Sequence, residues 1–452
     1  MCEHIPGRLK ELYAKVLSMH KYLFSSILLF SVGLSQAQNV GIGTSSPLAR
    51  LHVTDNDILF SANGSVPGVA TNPPLNGGGR RTMWYASKAA FRTGYVLNTN
   101  WDKDSIGKYS FAAGYDTKAK GEKSSAFGWG TSAEGTSALT AGFETRATGI
   151  NAVAFGYLSV AAGDNSIAAG SENTASGIYS FAAGYNSIAS GVSAFALGTS
   201  TEASGSYAFA AGYNSFSAGV NSTAFGANTA ATGNGSFAIG NNTDATGLNS
   251  VSAGANTIAA GTAAVCLGNN SRANGFASLV IGQYNDTVVA TQTSYSSTST
   301  PLFIVGNGIS TNSRNNALLI NSDGRTGINT STPQTFLDVN GDFAVKPYNL
   351  ALGGAGGPFS NVITSNRSFV HITGPNAPFS VSGFQNGHDG KILVVLNMSG
   401  QNMTIENLDT DSDPANRINT LSGSNITTTG NGAVTMIYSG DQNRWMVLSV
   451  RD

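Results

Sequence analysis

Ile178-Tyr-Ser-Phe-Ala-Ala-Gly-Tyr-Asn-Ser-Ile-Ala-Ser-Gly191 is one of twelve fourteen-residue units that tile the chain from Lys108 to Gly275 without an insertion. Glycine marks the seventh place of each unit, from Gly114 to Gly268, and closes each unit, from Gly121 to Gly275; a partial further unit reaches Gly282. A fixed short period with turn glycines predicts a solenoid, in which each unit is one coil that cannot bury a core alone. Seven residues per half-coil leave room for one short strand and one turn, so each coil reads strand, turn, strand, turn.

Alternation along each strand assigns the faces. The third place is Ser or Ala throughout, and the fifth is Ala except at Thr140, Ser252 and Cys266. The tenth is Ser or Thr except at Asn173, and the twelfth is Ala except at Ser217. These four small places are predicted to face one another inside a thin roll, its two sheets closer than the ~10 Å usual for stacked sheets. Cys266 then reads as a small buried side chain rather than a reactive thiol. The outer side of the second strand carries Lys118, Arg146, Glu202, Asp244 and Arg272 and reads as solvent-facing.

The outer side of the first strand is apolar at its fourth and sixth places: Phe111, Phe127, Leu139, Val153, Phe155, Ile167, Phe181, Phe195, Leu197, Phe209, Phe225, Phe237, Ile239, Val251, Val265 and Leu267. Coils stacked ~4.8 Å apart make this stripe about 60 Å long. Its exposure would forfeit on the order of 20 to 40 kcal/mol. A lone roll cannot leave such a patch in water, and no second apolar stripe of matching length stands out elsewhere. The stripe is expected to close against another copy or another domain.

The unit resembles the head repeat of trimeric autotransporter adhesins. Asn165-Ser-Ile-Ala-Ala-Gly, Asn221-Ser-Thr-Ala-Phe-Gly and Asn249-Ser-Val-Ser-Ala-Gly carry that likeness. It implies an all-β, left-handed parallel β-roll that trimerises through one face, with the stripe residues as the trimer interface, in an extracellular adhesion module. A heptad stalk and a membrane-barrel segment with an aromatic end, usual in that family, are not found; the chain reads Ser449-Val-Arg-Asp452 at its last residues, and anchoring is left open.

Composition agrees with a surface of hydroxyls and amides. Only 11% of the 452 residues are charged and the net charge is −1, which speaks against a nucleic-acid partner. From Met19 the chain reads Met-His-Lys, then an apolar run from Tyr22 to Leu34, then Ser35-Gln-Ala37. This is the pattern of a secretory signal peptide over residues 19–37, cut between Ala37 and Gln38, within a leader of residues 1–37. The expected location is secreted, extracellular or on the outer cell surface. Cys2 and Cys266 offer no disulfide framework.

Further boundaries fall at residues 38–107, 108–282, 283–342 and 343–452. Asn39-Val-Gly-Ile-Gly-Thr-Ser-Ser-Pro47 through Val53 has a spacing that returns at Gly327-Ile-Asn-Thr-Ser-Thr-Pro333 through Val339. These two modules resemble the collars of trimeric phage tail fibres and of Bacteroidetes surface fibres. Between the first module and the roll, Trp84, Tyr85, Arg92 and Trp101 read either as an end cap for the solenoid, which a stacked core requires, or as a ligand-binding patch continuing into Tyr115 and Trp129. Residues 283–342 read as a hairpin entering the second collar. Residues 343–452, with runs at Val394-Val-Leu396, Val434 to Tyr438 and Trp445 to Val450, read as a compact antiparallel β-domain.

Little of this carries chemistry. Asp409, Asp411 and Asp413 are spaced like the start of a calcium loop, but Pro414 and Thr420 stand where that loop needs Gly and Glu. No catalytic residues and no cofactor are expected. The eighth-place aromatics Tyr115, Trp129, Phe143, Tyr157, Tyr185 and Tyr213 suit a neighbouring protomer or sugar faces. Asn214 to Asn270 form a turn ladder at the ninth place. The leading reading is a non-catalytic, homotrimeric fibre that binds a surface glycan or an extracellular protein. A phage-tail-like receptor-binding fibre and a polysaccharide-cleaving enzyme on a trimeric β-scaffold are the alternatives.

Overall fold

The computed structural model describes residues 7–32, 39–287, 289–295, 300–354 and 356–452, with the backbone alone for 20–32. The expected cut between Ala37 and Gln38 lies outside the described residues. There are two compact units, Met1–Leu302 and Phe303–Asp452. An α-helix, Gly7–Val32, runs through most of the expected signal segment. Among the described residues no helix is long and apolar enough to cross a membrane.

The first unit is dominated by a parallel β-solenoid in which every coil repeats one plan. In the sixth coil a long strand, Phe181–Tyr185, turns into a short one, Ile188–Ala189. Each strand pairs with its counterpart fourteen residues on, Ala182 with Ala196 and Ala189 with Ala203. The short strands alone make a twelve-stranded sheet. Phe181 N–H donates to the Ala194 carbonyl at 2.9 Å and Ile188 N–H to the Thr201 carbonyl at 2.8 Å. Strand amides are therefore satisfied by the next coil.

All four small places are interior, Ser180, Ala182, Ser187 and Ala189 being 0–1% exposed. Three polar departures from the small consensus are satisfied in place, whereas the buried Thr140 hydroxyl has no hydrogen-bond partner among the described residues. Asn173 donates its amide to the carbonyls of Ala169 and Gly184, each at 2.8 Å. Ser217 bonds Ser222 at 2.6 Å, and Ser252 bonds Thr257 at 2.9 Å.

Both corners of a coil turn through the left-handed region, at Tyr179 (φ 59°) and Asn186 (φ 52°). Their N–H groups donate to the preceding coil, at Asp164 and Ser171. Asparagine tolerates this geometry best among residues with side chains, which explains the amide ladder; Asn214 donates to Asn228 at 2.9 Å and Asn242 to Asn256 at 2.6 Å. Glu172 holds the same corner with φ 60° and is exposed. Glu172→Asn is expected to stabilise the roll by about 1 kcal/mol, read as a higher melting temperature; an unchanged or lower one would count against corner strain.

The second unit opens with a hairpin. Strands Pro301–Asn307 and Asn316–Asn321 are neighbours, the latter inside this unit together with the Ser310 to Ser313 turn. Then come Thr326–Ile328 and Leu337–Val339, paired in parallel. In the first unit Val40–Ile42 and Leu51–Val53 pair the same way. The two modules also share their bonding. Thr54 N–H donates to Ile42 and Asn340 N–H to Ile328, while Leu48 N–H bonds His52 Nδ1 at 3.2 Å and Gln334 N–H bonds Asp338 Oδ2 at 2.8 Å.

The remainder packs a six-stranded and a three-stranded sheet around Val370, Ile372, Phe384, Leu393, Met403 and Trp445. These sheets are mixed, not the antiparallel domain expected from sequence. Ile392–Asn397, Ala433–Ser439 and Arg444–Arg451 are antiparallel neighbours. Phe369–Gly374 runs parallel to both Tyr348–Ala351 and Ile392–Asn397. Turn residues reveal hairpins, whereas crossovers between parallel strands leave no local signature.

Candidate binding surface

Along the outer side of the long strands, none of the sixteen stripe residues is buried, and Phe195 and Phe225 stand 43% and 50% exposed. The eighth place shares the parity of the fourth and sixth, so the aromatic column is an edge of this same face. The corner before each long strand adds Ile150, Ile178, Val192, Val220 and Leu248, all exposed. These apolar corners widen the stripe without forming a second one of matching length, since Asp164, Ser206 and Asn234 interrupt them.

The aromatic column is a continuous run of ring contacts at its start, stacked for Tyr95 with Tyr115 and for Phe143 with Tyr157 and tilted by 35° at Trp129. Ring centroids are 5.1 Å apart for Tyr95 and Tyr115, 4.3 Å for Tyr115 and Trp129, 5.8 Å for Trp129 and Phe143, and 5.2 Å for Phe143 and Tyr157. Ser171 and Thr199 interrupt the column further on, in register between Tyr157, Tyr185 and Tyr213.

Of the cap residues, Tyr85, Arg92 and Trp101 are 0–2% exposed and offer no surface to a ligand. The physical reason is register. Ala90–Val96 pairs in parallel with Phe111–Tyr115, aligning Phe91 with Phe111 and Arg92 with Ala112. Arg92 thus occupies an interior place that Ala fills in the coils. Its guanidinium donates to the Ser110 carbonyl at 3.0 Å, the Ser110 hydroxyl at 2.8 Å and the Ala119 carbonyl at 2.9 Å, touching both sheets. Burial pushes its pKa down to about 10, leaving it charged at neutral pH. Trp101 donates its indole N–H to the Thr117 carbonyl at 2.8 Å, and Arg81 lies over its ring at 5.5 Å. Trp84, Tyr115 and Trp129 are the candidate ligand residues left at least partly exposed.

Cys266 is fully buried, and burial raises its thiol to about 12. It is therefore a thiol, not a thiolate, at pH 8. Ellman's reagent at that pH is expected to leave the folded chain unmodified and to react after unfolding in guanidinium; prompt reaction of the folded chain would contradict its interior place. In the second unit Asp409 accepts the Asp411 N–H at 2.8 Å, and Asp413 N–H donates to Asn361 at 2.9 Å. Among the described residues no group of three or more His, Cys, Asp or Glu could hold a metal ion.

The family model for the YadA head domain repeat, which spans two copies, matches residues 105–131, 147–173, 163–187, 175–200, 189–215 and 217–243. Over those residues the roll carries YadA head repeats. The overlapping matches follow the coils, and they leave the paired modules and the second unit uncovered. YadA heads are the heads of trimeric autotransporter adhesins, displayed on the cell surface, and an adhesin role is consistent with them. No curated protein matches the chain.

Proposed function

We propose that the chain is a secreted, homotrimeric, non-catalytic adhesin that holds its YadA-type roll as a stiff head at the outer cell surface. The uncovered apolar face carries this reading, since fibres of one copy would leave Phe195, Phe225 and their column in water. Three copies around an axis turn that face inward. Recognition of a surface glycan or extracellular protein is assigned to the second unit, whose loops break the uniform wall of the roll. In support, Phe343, Val345, Phe369, Ile392 and Val394 line an open groove of about 430 Å³, with Phe343 76% exposed. The duplicated paired-strand modules favour, as a second reading, a receptor-binding fibre of phage-tail type.

Sedimentation of residues 38–452 should give three chain masses, and the trimer should adhere to host cells or glycan-coated surfaces. A folded, soluble monomer would sink the trimer; a trimer that adheres to nothing would sink the adhesin.

A further inference from the structure

Charge is scarce in this chain and unevenly placed. Nine of its 24 lysines and arginines fall within residues 80–123, against four acids, although the whole chain carries a net charge of −1. Several basic groups along the roll have partners: Lys118 and Arg146 both meet Glu134 at 3.4 Å, and Lys123 meets Glu122 at 3.1 Å. Among the described residues the side chains of Lys103, Lys108 and Lys120 make no ion pair.

These three converge with Lys88 on one open pocket of about 430 Å³. Pairing of Ala90–Val96 with Phe111–Tyr115 puts Lys88 and Lys108 at equivalent corner places one rung apart, ~4.8 Å. Tyr109 N–H donates to the Lys88 carbonyl at 2.7 Å. Lys88 Nζ is itself held, donating to the carbonyls of Lys103 at 2.5 Å and Ile106 at 2.6 Å. Burial lowers the Lys88 pKa, Asp104 raises it, and Lys103, Arg92 and Lys108 lower it further. Asp104 and Glu122 also line the pocket, but Glu122 is already engaged by Lys123. Positive charge is therefore in excess there.

A second pocket, of about 250 Å³, adjoins the first and includes Trp84. One loop walls both, residues 62–67 on the Trp84 side and 68–70 on the lysine side. Thr71 ties its end down, its hydroxyl bonding Ser87 at 2.7 Å and its carbonyl accepting the Tyr85 hydroxyl. The short turn Ala86–Lys88 divides the pockets, Ala86 and Ser87 lining one and Lys88 the other.

We propose that the two pockets form one binding site for an acidic polysaccharide, with the lysines taking a sulfated or carboxylated sugar and Trp84 the apolar face of a neighbouring sugar. Lysines recognise such groups as point charges, and an aromatic side chain with apolar neighbours suits a C–H face. The lysine pocket is many times the ~30 Å³ share of a water, so a lone inorganic anion would leave most of it empty. A single-stranded nucleic acid wants successive rings for its bases, and Trp84 is the one aromatic among the described residues lining either pocket. The site belongs to the first unit and does not depend on the recognition assigned to the second.

The test measures binding of residues 38–452 to immobilised heparin, hyaluronan, neutral dextran and single-stranded DNA. The chain should bind heparin or hyaluronan and not dextran, the preferred polymer telling sulfate from carboxylate. Lys103→Gln/Lys108→Gln/Lys120→Gln should leave the melting temperature unchanged and raise the dissociation constant at least about tenfold. What binding remains should be less sensitive to salt. Trp84→Leu should weaken binding about threefold or more with its salt dependence kept, a loss that Trp84→Phe largely avoids. Arg146→Gln/Arg272→Gln/Arg325→Gln removes the same charge elsewhere and should change binding less than about twofold. Binding to neither acidic polymer, equal binding to dextran, an unaffected lysine variant or an equal loss in the arginine control overturns the site. DNA held as tightly as the polysaccharide overturns it too, making the patch a general polyanion contact. Cell adhesion is read separately: a lysine variant that loses polysaccharide binding but still adheres leaves recognition by the second unit standing.

Discussion

Gly184→Ala is expected to destabilise the roll by about 4 kcal/mol or more, removing or splitting its melting transition. Gly184 has φ +119°, a backbone region essentially reserved for glycine. A Cβ built there would overlap the carbonyl oxygen of Gly198 in the next coil. That oxygen cannot retreat cheaply, because the long strands on both sides are pinned in fourteen-residue register. Shifting one coil breaks its contact with the neighbours, and in a solenoid those contacts carry the stability. Gly130→Asn is the control. Gly130 has φ +64° at the corner place that Asn186 and Asn214 hold elsewhere, and the one close approach to its would-be Cβ is the flexible Glu144 side chain, at 3.0 Å. Its effect should lie within about 0.5 kcal/mol. Equal melting temperatures for the two variants would show that the seventh place is not in close contact with the coil above.

The second large effect is expected from Arg92→Ala, at about 3 to 5 kcal/mol. Truncation leaves a cavity where a wholly buried side chain stood and removes donors from the Ser110 and Ala119 carbonyls. Burial is the sole cause of the lowered Arg92 pKa, so the charge is held by carbonyl and hydroxyl oxygens without a carboxylate partner. Arg92→Met restores much of the volume but none of the donors and should recover only part of the loss. Arg92→Lys presents one point charge where a planar fork spans two sheets, and is not conservative here. Hydrogen exchange locates the damage: protection should fall in residues 79–121 first and fade along the later coils. Uniform loss along the whole roll would mean that Arg92 does not act as an end plug.

The roll was legible because each place in the unit is sampled again in every coil, so Ala182 and Ser187 are recognised as interior by their equivalents at Ala196 and Thr201. Arg92 was not, because nothing before the first coil repeats; only the pairing of Gly94 with Gly114 shows that an extra rung begins there. Corner residues such as Ile178 and Tyr179 escaped because a left-handed turn interrupts the alternation that assigns faces. In the second unit Val434, Met436 and Trp445 were placed on strands by their turns, yet the parallel partners of Phe369–Gly374 arrive from 18 or more residues away in sequence. Surface recognition was the least legible part, since an adhesive patch needs only exposed side chains in a spatial pattern, and Asp409 or Phe343 carries no mark of it in the local sequence.

The unbroken fourteen-residue register also makes length a countable trait. Loss or gain of one coil's worth of codons in the middle of the repeat rejoins Ala to Ala and Gly to Gly, so recombination within the gene could shorten or lengthen the head in steps of ~4.8 Å without a misfolded intermediate form. In the trimer proposed above, chains of unequal coil number would leave part of the apolar face uncovered, so alleles of different length are expected to sort into separate fibres.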